Sequence, residues 1–432
     1  MQALLSFDKT PPFAAPLRFF ITAPLFSLAA GLLLLWVGPD LLASRWTPGL
    51  LAATHLVTVG FMLMVMLGAL IQILPVVAGA NLEHPLAVAR WLHASLSAGA
   101  LLLAAGFLLR QGALLGTAAI ILGLGVVAFL VASGRALAGV PSTSPTIRGL
   151  KLALVGLAGA VGLGAWLAVT IANGWRVALP SLADLHAGWA LGAWAGTLLA
   201  ALAYVVVPMF QLTPGYPARP SWWFPGVLLG LMVAWGLAVC LDLPEGIRLA
   251  QVLSAVAGIG FALLTLRLQQ QRRRARSDVT YRCWQLGLAS AILALAMTLT
   301  ATAWPALADL AGWSIFAGIL LLVGGFMSLI IGMLYKIVPF LAWMHLRYRG
   351  SARSPVPSMN KLLPEADAQR QMRAHAVALA LLLAAVIAPD WLTRPAGVAL
   401  AVASGWLMLN LLGAVRRYRQ HLEKLDREAV AA

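Results

Sequence analysis

The sequence predicts an all-α integral membrane protein of about twelve transmembrane helices, a single polytopic domain built from three units of four helices. Three observations carry that prediction. Of the 432 residues, 61% are hydrophobic and 10% charged, with a mean hydropathy of +0.90, whereas about a quarter of the residues in a soluble domain are charged. The apolar runs are long enough to cross a bilayer and rich in Leu and Ala, without the period-two alternation of barrel strands. A proline-centred pattern also returns three times at nearly a third of the chain length.

The first copy is the stretch 47–79, which is apolar apart from His55, three threonines and Gln72, and contains no Lys, Arg, Asp or Glu. Pro48 suits the first turn of a helix, where its missing N–H costs nothing. The copy closes on Gln72-Ile73-Leu74-Pro75, the second on Tyr204-Val205-Val206-Val207-Pro208 and the third on Tyr335-Lys336-Ile337-Val338-Pro339, so the prolines are 133 and 131 residues apart. Seven residues before each proline stands Gly68, Ala201 or Gly332, and fifteen before it Gly60, Ala193 or Gly324. Small residues at fixed depth let membrane helices approach closely.

Hydrophobicity places the spans at 15–37, 48–78, 88–109, 113–137, 149–173, 182–210, 222–241, 247–267, 283–304, 312–341, 373–389 and 394–415. The corresponding units are roughly 1–140, 141–275 and 276–432, with each repeat proline near the end of the second span of its unit. Asp8, Lys9 and Pro11-Pro12 precede a first run of full spanning length, so no cleavable signal is expected. Before span 6, Ser181 and Asp184 resemble a capping box with Asp in place of Glu. The surrounding Pro180 to Trp189 nearly recurs before span 10 as Pro305 to Trp313, through Asp309, Leu310 and Ala311, with His186 dropped.

Of the 30 Lys and Arg, 25 fall on the side of the termini, and Arg45, Arg110, Arg176, Arg248 and Arg394 fall opposite. The positive-inside bias then puts both termini in the cytoplasm of a bacterial-type inner membrane. A net charge of +16 placed this way marks topology and contact with anionic lipid, and no nucleic acid is expected as a partner. The sixteen tryptophans mostly flank span ends as an aromatic belt. Cys240 and Cys283 fall near opposite faces, where neither a disulfide nor a thiolate metal site is expected.

All 14 Asp and Glu lie in loops, tails or at span ends. A proton-coupled transporter usually needs an intramembrane carboxylate, and twelve-helix transporters repeat in halves rather than thirds. A small-molecule transporter is therefore the least favoured class. Lys336, the one charge well inside a span, reads as a lysine snorkelling to headgroups.

His55 and His186, on the second spans of units one and two near the outer face, are the candidate heme or copper ligands. The plainer alternative for each is an interfacial histidine bonded to a carbonyl or headgroup. Counted back from their prolines they stand at 20 and 22, so on regular helices they occupy inequivalent faces. The other histidines, His84, His93, His345, His375 and His421, fall in loops on the side of the termini, at inner span ends or in the tail. Met62 and Met66, seven and eleven residues after His55, share a helical face and could offer thioethers, although packing is the commoner use of such a stripe.

Twelve spans in three groups of four, with histidines near the outer face on spans 2 and 6, resemble subunit I of the heme-copper oxidase superfamily. In that family span 2 carries a low-spin heme ligand and span 6 a copper ligand, the places held here by His55 and His186. Span 7 begins Ser221-Trp222-Trp223-Phe224 without a histidine pair, and span 10 has no histidine between Trp313 and Leu341, so a complete binuclear oxidase or reductase site is not expected. The chain also resembles the NnrS family, heme- and copper-binding membrane proteins linked to nitric oxide stress and denitrification. Pro16-Leu17-Arg18-Phe19-Phe20-Ile21 is similar to that family's N-terminal Arg-Pro-Phe-Phe signature without its proline. His55, Gly60-Phe61, Gly68-Ala69 and Pro75 to Gly79 are similar to its span 2 pattern, with one histidine in place of two. The resemblance implies a heme- or copper-binding protein serving denitrification or nitric oxide tolerance. The alternative is a cofactor-free scaffold or assembly partner of a respiratory complex.

Overall fold

The computed structural model describes residues 9–274, 276–310, 312–349 and 356–431; Asp8 and Ala311 lie outside them. Among the described residues the regular structure is helical, without a strand. Twelve helices among the described residues are long and apolar enough to cross a membrane: α1 (Ala14–Leu42), α2 (Pro48–Ala78), α3 (Pro85–Leu108), α4 (Gly112–Ala138), α5 (Pro145–Asn173), α6 (Leu179–Gln211), α7 (Ala218–Cys240), α8 (Pro244–Gln270), α9 (Val279–Ala303), α10 (Trp313–Arg349), α11 (Glu365–Ile387) and α12 (Pro389–Arg427). The chain is a multi-pass membrane protein.

The second helix of each group is the inner one. In its most apolar stretch α2 is 83% buried, α6 56% and α10 61%, while no other helix exceeds 50%. Around them the packing pairs recur with a shift of four helices: α1 with α2, α5 with α6 and α9 with α10; α3 with α4, α7 with α8 and α11 with α12; α4 with α5, α8 with α9 and α12 with α1.

Each inner helix is interrupted by eight residues of π-helix, Leu56–Leu63, Trp189–Gly196 and Leu320–Met327. Every one ends twelve residues before its proline, at 63 and 75, 196 and 208, and 327 and 339. Such wide turns are rare and concentrate at functional sites. In two of the three the next residue is a hydroxyl that reaches a carbonyl five back: Thr197 Oγ1 to Gly192 O and Ser328 Oγ to Val323 O, both at 3.4 Å.

The small residues of the repeat face the first helix of their own group. A Cβ on Gly68 would lie 2.6 Å from Phe19 Cβ, one on Gly332 2.7 Å from Cys283 Cβ, and one on Gly149 2.7 Å from Ala201 Cβ. The same holds fifteen residues before the proline, where Gly60 meets Phe26, Ala193 meets Gly156 and Gly324 meets Ser290. The partners are seven apart on α1, α5 and α9 alike, at 19 and 26, 149 and 156, and 283 and 290.

Local chemistry bears out some sequence expectations and corrects others. Thr47 caps α2, accepting from Leu50 N at 3.2 Å while its hydroxyl donates to Leu41 O at 2.7 Å. Ser181 caps nothing, because α6 starts earlier, at Leu179, and Asp184 is held instead by Arg45, 2.6 Å between Oδ1 and Nη1. Lys336 does not snorkel: its ammonium lies 3.0 Å from Asp278, which also accepts from Arg274 and from the Tyr281 N–H. That carboxylate is only 9% exposed and ties the start of α9 to α10. Helices α10, α11 and α12 run past their hydropathy limits into polar residues, so His375 sits ten residues inside α11 and is wholly buried.

Candidate functional site

A cavity of about 710 Å³ lies between α2 and α6, with walls from α3, α4 and α5, and both His55 and His186 line it. His55 Nδ1 is 2.8 Å from Leu51 O, one turn back on its own helix. His186 Nδ1 is 3.0 Å from Ala160 O on α5. A carbonyl only accepts, so each Nδ1 carries the proton, and each neutral ring keeps its lone pair on Nε2. This is the arrangement in which a second partner fixes a ligating imidazole's tautomer. Backbone thus supplies what the absent carboxylates do not.

The surroundings orient the rings. Phe107 lies against His55, with centroids 5.1 Å apart at 31°. Gly164 leaves room for His186, since a Cβ there would stand 2.8 Å from its Cε1. Met62 and Met66 also line the cavity, while Met64, on the opposite side, is buried in the core. At the rim away from the termini stands Arg110, held in a left-handed turn (φ 52°) at the end of α3. Its guanidinium has no ion pair or hydrogen bond among the described residues. Sequence reasoning missed Phe107, Gly164 and Arg110; of these only Arg110 left a signal, as one of five cations on the sparse side.

A second cavity of about 700 Å³ lies between α6 and α10. It is lined from equivalent positions, which the sequence did not reveal. His55, Val59, Leu63 and Met66 on one wall of the first correspond to Gly188, Gly192, Gly196 and Leu199 in the second. His186, Ala190 and Trp194 on the facing wall correspond to Ala317, Leu321 and Gly325. The cavity is repeated; the imidazoles are not.

The other histidines bond elsewhere. His93 Nε2 meets the Thr22 hydroxyl at 2.9 Å, His345 Nδ1 the Tyr418 hydroxyl at 2.8 Å, and His421 Nδ1 the Arg417 carbonyl at 2.8 Å. Among the described residues no three His, Cys, Asp or Glu side chains converge as a metal site. No protein-family model matches this chain, and no curated protein matches it.

Proposed function

We propose that this chain is an oxidase-like, NnrS-related membrane protein of pseudo-threefold build that holds a heme between α2 and α6 and serves nitric oxide tolerance or denitrification. The observation that carries the reading is the pair of imidazoles, each donating from Nδ1 to a carbonyl and with no partner for Nε2 among the described residues, in one apolar cavity. The volume falls in the range of cofactor sites, roughly 300–1,000 Å³, far more than a bare ion requires. With no third His, Cys, Asp or Glu ligand among the described residues, a porphyrin, which brings its own four nitrogens, suits the donor set better than copper. Copper would have to draw on the thioethers of Met62 and Met66.

In this reading His55 and His186 would hold the heme iron, and their carbonyl partners fix the proton on Nδ1 and leave Nε2 to bind it. Phe107 covers one face of the His55 ring, and Arg110 at the rim would offer a positive charge to the carboxylates that a porphyrin carries. Bound heme would supply one-electron chemistry and affinity for small diatomic ligands. The charge bias supports an orientation with the cavity toward the outer face of an inner membrane and both termini cytoplasmic, and the partner in this reading is a respiratory or denitrification complex.

The test is the absorption spectrum and metal content of the protein purified from heme-supplied cells, beside His55→Ala and His186→Ala. A Soret band in the parent that is lost or shifted in both variants, with their melting unchanged, is the expected result. A colourless parent, or equal heme in all three, overturns the reading and leaves a cofactor-free partner of a respiratory complex; copper without heme would reassign the site to the ion.

A further inference from the structure

A ladder of buried polar side chains runs up the seam between α10, α11 and α12, apart from the cavity of His55 and His186. At its foot, toward the face that carries the termini, Asn410 Nδ2 donates to the Tyr335 hydroxyl at 3.0 Å and to the Asp367 carbonyl at 3.2 Å. One turn further in, Gln371 Nε2 donates to the Ala403 carbonyl at 3.0 Å. One more turn in, His375 Nε2 lies 2.9 Å from the Ser328 hydroxyl at the end of the third π segment. Asp367, Gln371 and His375 are four residues apart and stack on one face of α11, a climb of about 12 Å at 1.5 Å per residue.

Gln371, His375 and Ser404 are all 0% exposed. Yet Gln371 Oε1, His375 Nδ1 and Ser404 Oγ have no hydrogen-bond partner among the described residues. An orphaned polar atom in an apolar interior is a net cost to folding, and three on neighbouring turns of one seam share a single remedy, which is ordered water. The imidazole cannot satisfy itself. If Nε2 donates to Ser328, a bare Nδ1 needs a donor; if Ser328 donates to Nε2, the Nδ1 proton needs an acceptor. Water meets either need.

We infer that α10, α11 and α12 enclose a file of water that carries protons from the face of the termini to His375, making this imidazole a reversible proton acceptor inside the membrane. In the loading step Nδ1 takes a proton from the adjacent water, while the Nε2 proton stays hydrogen-bonded to Ser328 Oγ and the Ser328 proton points to Val323 O, 3.4 Å away. The water is made good by the next one down the file, and the net change is one proton gained by the ring. Release is the reverse. The titratable and charged groups around the file are Tyr335 and Lys336 on α10, Glu365, Asp367, Arg370 and Arg373 on α11 and Cys283 on α9; α12 has none between Arg394 and Arg416. Lys336 is turned to Asp278, Glu365 accepts from the Val279 N–H at 2.7 Å, and Asp367 lies 3.5 Å from Arg370 at the entrance, so among the described residues no carboxylate faces the proton at His375. An ionisable side chain held inside a membrane protein is by itself a pointer to function. The inference does not rest on the heme reading.

The test is solid-state NMR of the full chain in lipid bilayers with nitrogen-15 histidine, with the His375 signals assigned by their loss in His375→Asn. Water magnetisation should reach the His375 ring, and lowering the pH from about 8 to about 3 should convert it from one ring N–H to two. Gln371→Leu should cut the water transfer about tenfold, the occupancy change that follows loss of one water-holding hydrogen bond, without altering His84. Ser404→Ala is the second variant should Gln371→Leu not fold. A parent ring that receives no water magnetisation, or that is wet but keeps a single proton over the whole range, overturns the inference.

Discussion

The contact between Gly332 and Cys283 can be tested against its own repeat. In Gly332→Ala the new Cβ would stand 2.7 Å from Cys283 Cβ and 3.3 Å from Thr280 O, whereas carbon atoms pack at about 3.5–4.0 Å. The helices must part by nearly 1 Å, stretching the 3.0 Å bond from Thr280 Oγ1 to Gly332 O. Overpacking of this kind costs about 1–3 kcal/mol, and the better helix propensity of Ala returns up to about 1 kcal/mol. Cys283→Gly alone removes a fully buried side chain and costs about 2 kcal/mol. Together the two changes recreate the arrangement of the second unit, where Ala201 already faces Gly149. The double variant should therefore be more stable than the sum of the singles by about 1–3 kcal/mol, the steric term it removes. Gly149→Ala with Ala201→Gly should couple in the same direction. The measurement is reversible unfolding by sodium dodecyl sulfate in mixed micelles, analysed as a double-mutant cycle. Additivity within about 0.5 kcal/mol in both cycles would show that the helices have room to spare and that the repeated contact is not tight.

Asp278→Ala should cost about 3–5 kcal/mol in the same unfolding assay, because it strands the Lys336 ammonium, 20% exposed, and removes the cap of α9. Lys336→Met should cost much less, about 1 kcal/mol, since Asp278 keeps Arg274 and the Tyr281 N–H. Thr47→Ala should lower stability by about 1 kcal/mol through loss of the α2 cap. Arg45→Ala should change it by no more than about 1 kcal/mol, both partners of its pair with Asp184 being more than a third exposed; a larger loss would mean that the pair locks α6.

The small-residue contacts were legible because depth along a helix is written directly in residue spacing: the residues seven and fifteen before the prolines meet the first helix of each group. The π segments were not, because a shift from i→i+4 to i→i+5 bonding leaves no required residue type, and Leu56–Leu63, Trp189–Gly196 and Leu320–Met327 share only a small residue at their fifth position. The two-residue offset of His55 and His186 looked like a defect and is not one. Two inner helices that flank a common cavity turn different faces to it, and two residues at about 100° each rotate a side chain by more than half a turn. Equivalent positions would have pointed to separate junctions, as the pairing of His55 with Gly188 of the second cavity shows. Lys336 and Asp184 were misread for another reason: their partners, Asp278 and Arg45, are 58 and 139 residues away, beyond any local window. His375 was placed too near the surface because Glu365, Asp367, Arg370 and Arg373 lower the hydropathy of the first turns of α11, although those turns are helical.

One packing scheme thus has three outcomes, and the side chains at equivalent positions account for the differences. Between α2 and α6 the cavity carries two imidazoles. Between α6 and α10 the volume is retained, but the position equivalent to His55 is Gly188, where an added Cβ would stand 2.5 Å from Trp235 Cζ3. The indole of α7 occupies the space a histidine would need, so ligand chemistry at that position is excluded sterically before any question of affinity arises. In the third sector α12 and α1, the counterparts of α4 with α5 and α8 with α9, close directly on each other: a Cβ on Gly397 would meet Leu35 N at 2.6 Å, and one on Gly31 would meet Ala401 N at 2.5 Å. Contact that close requires both glycines, because any side chain at either would force the two backbones apart. The two glycines draw α1 and α12 into backbone contact at this junction, while at the first junction His186 reaches across to α5 only because Gly164 leaves its ring a place.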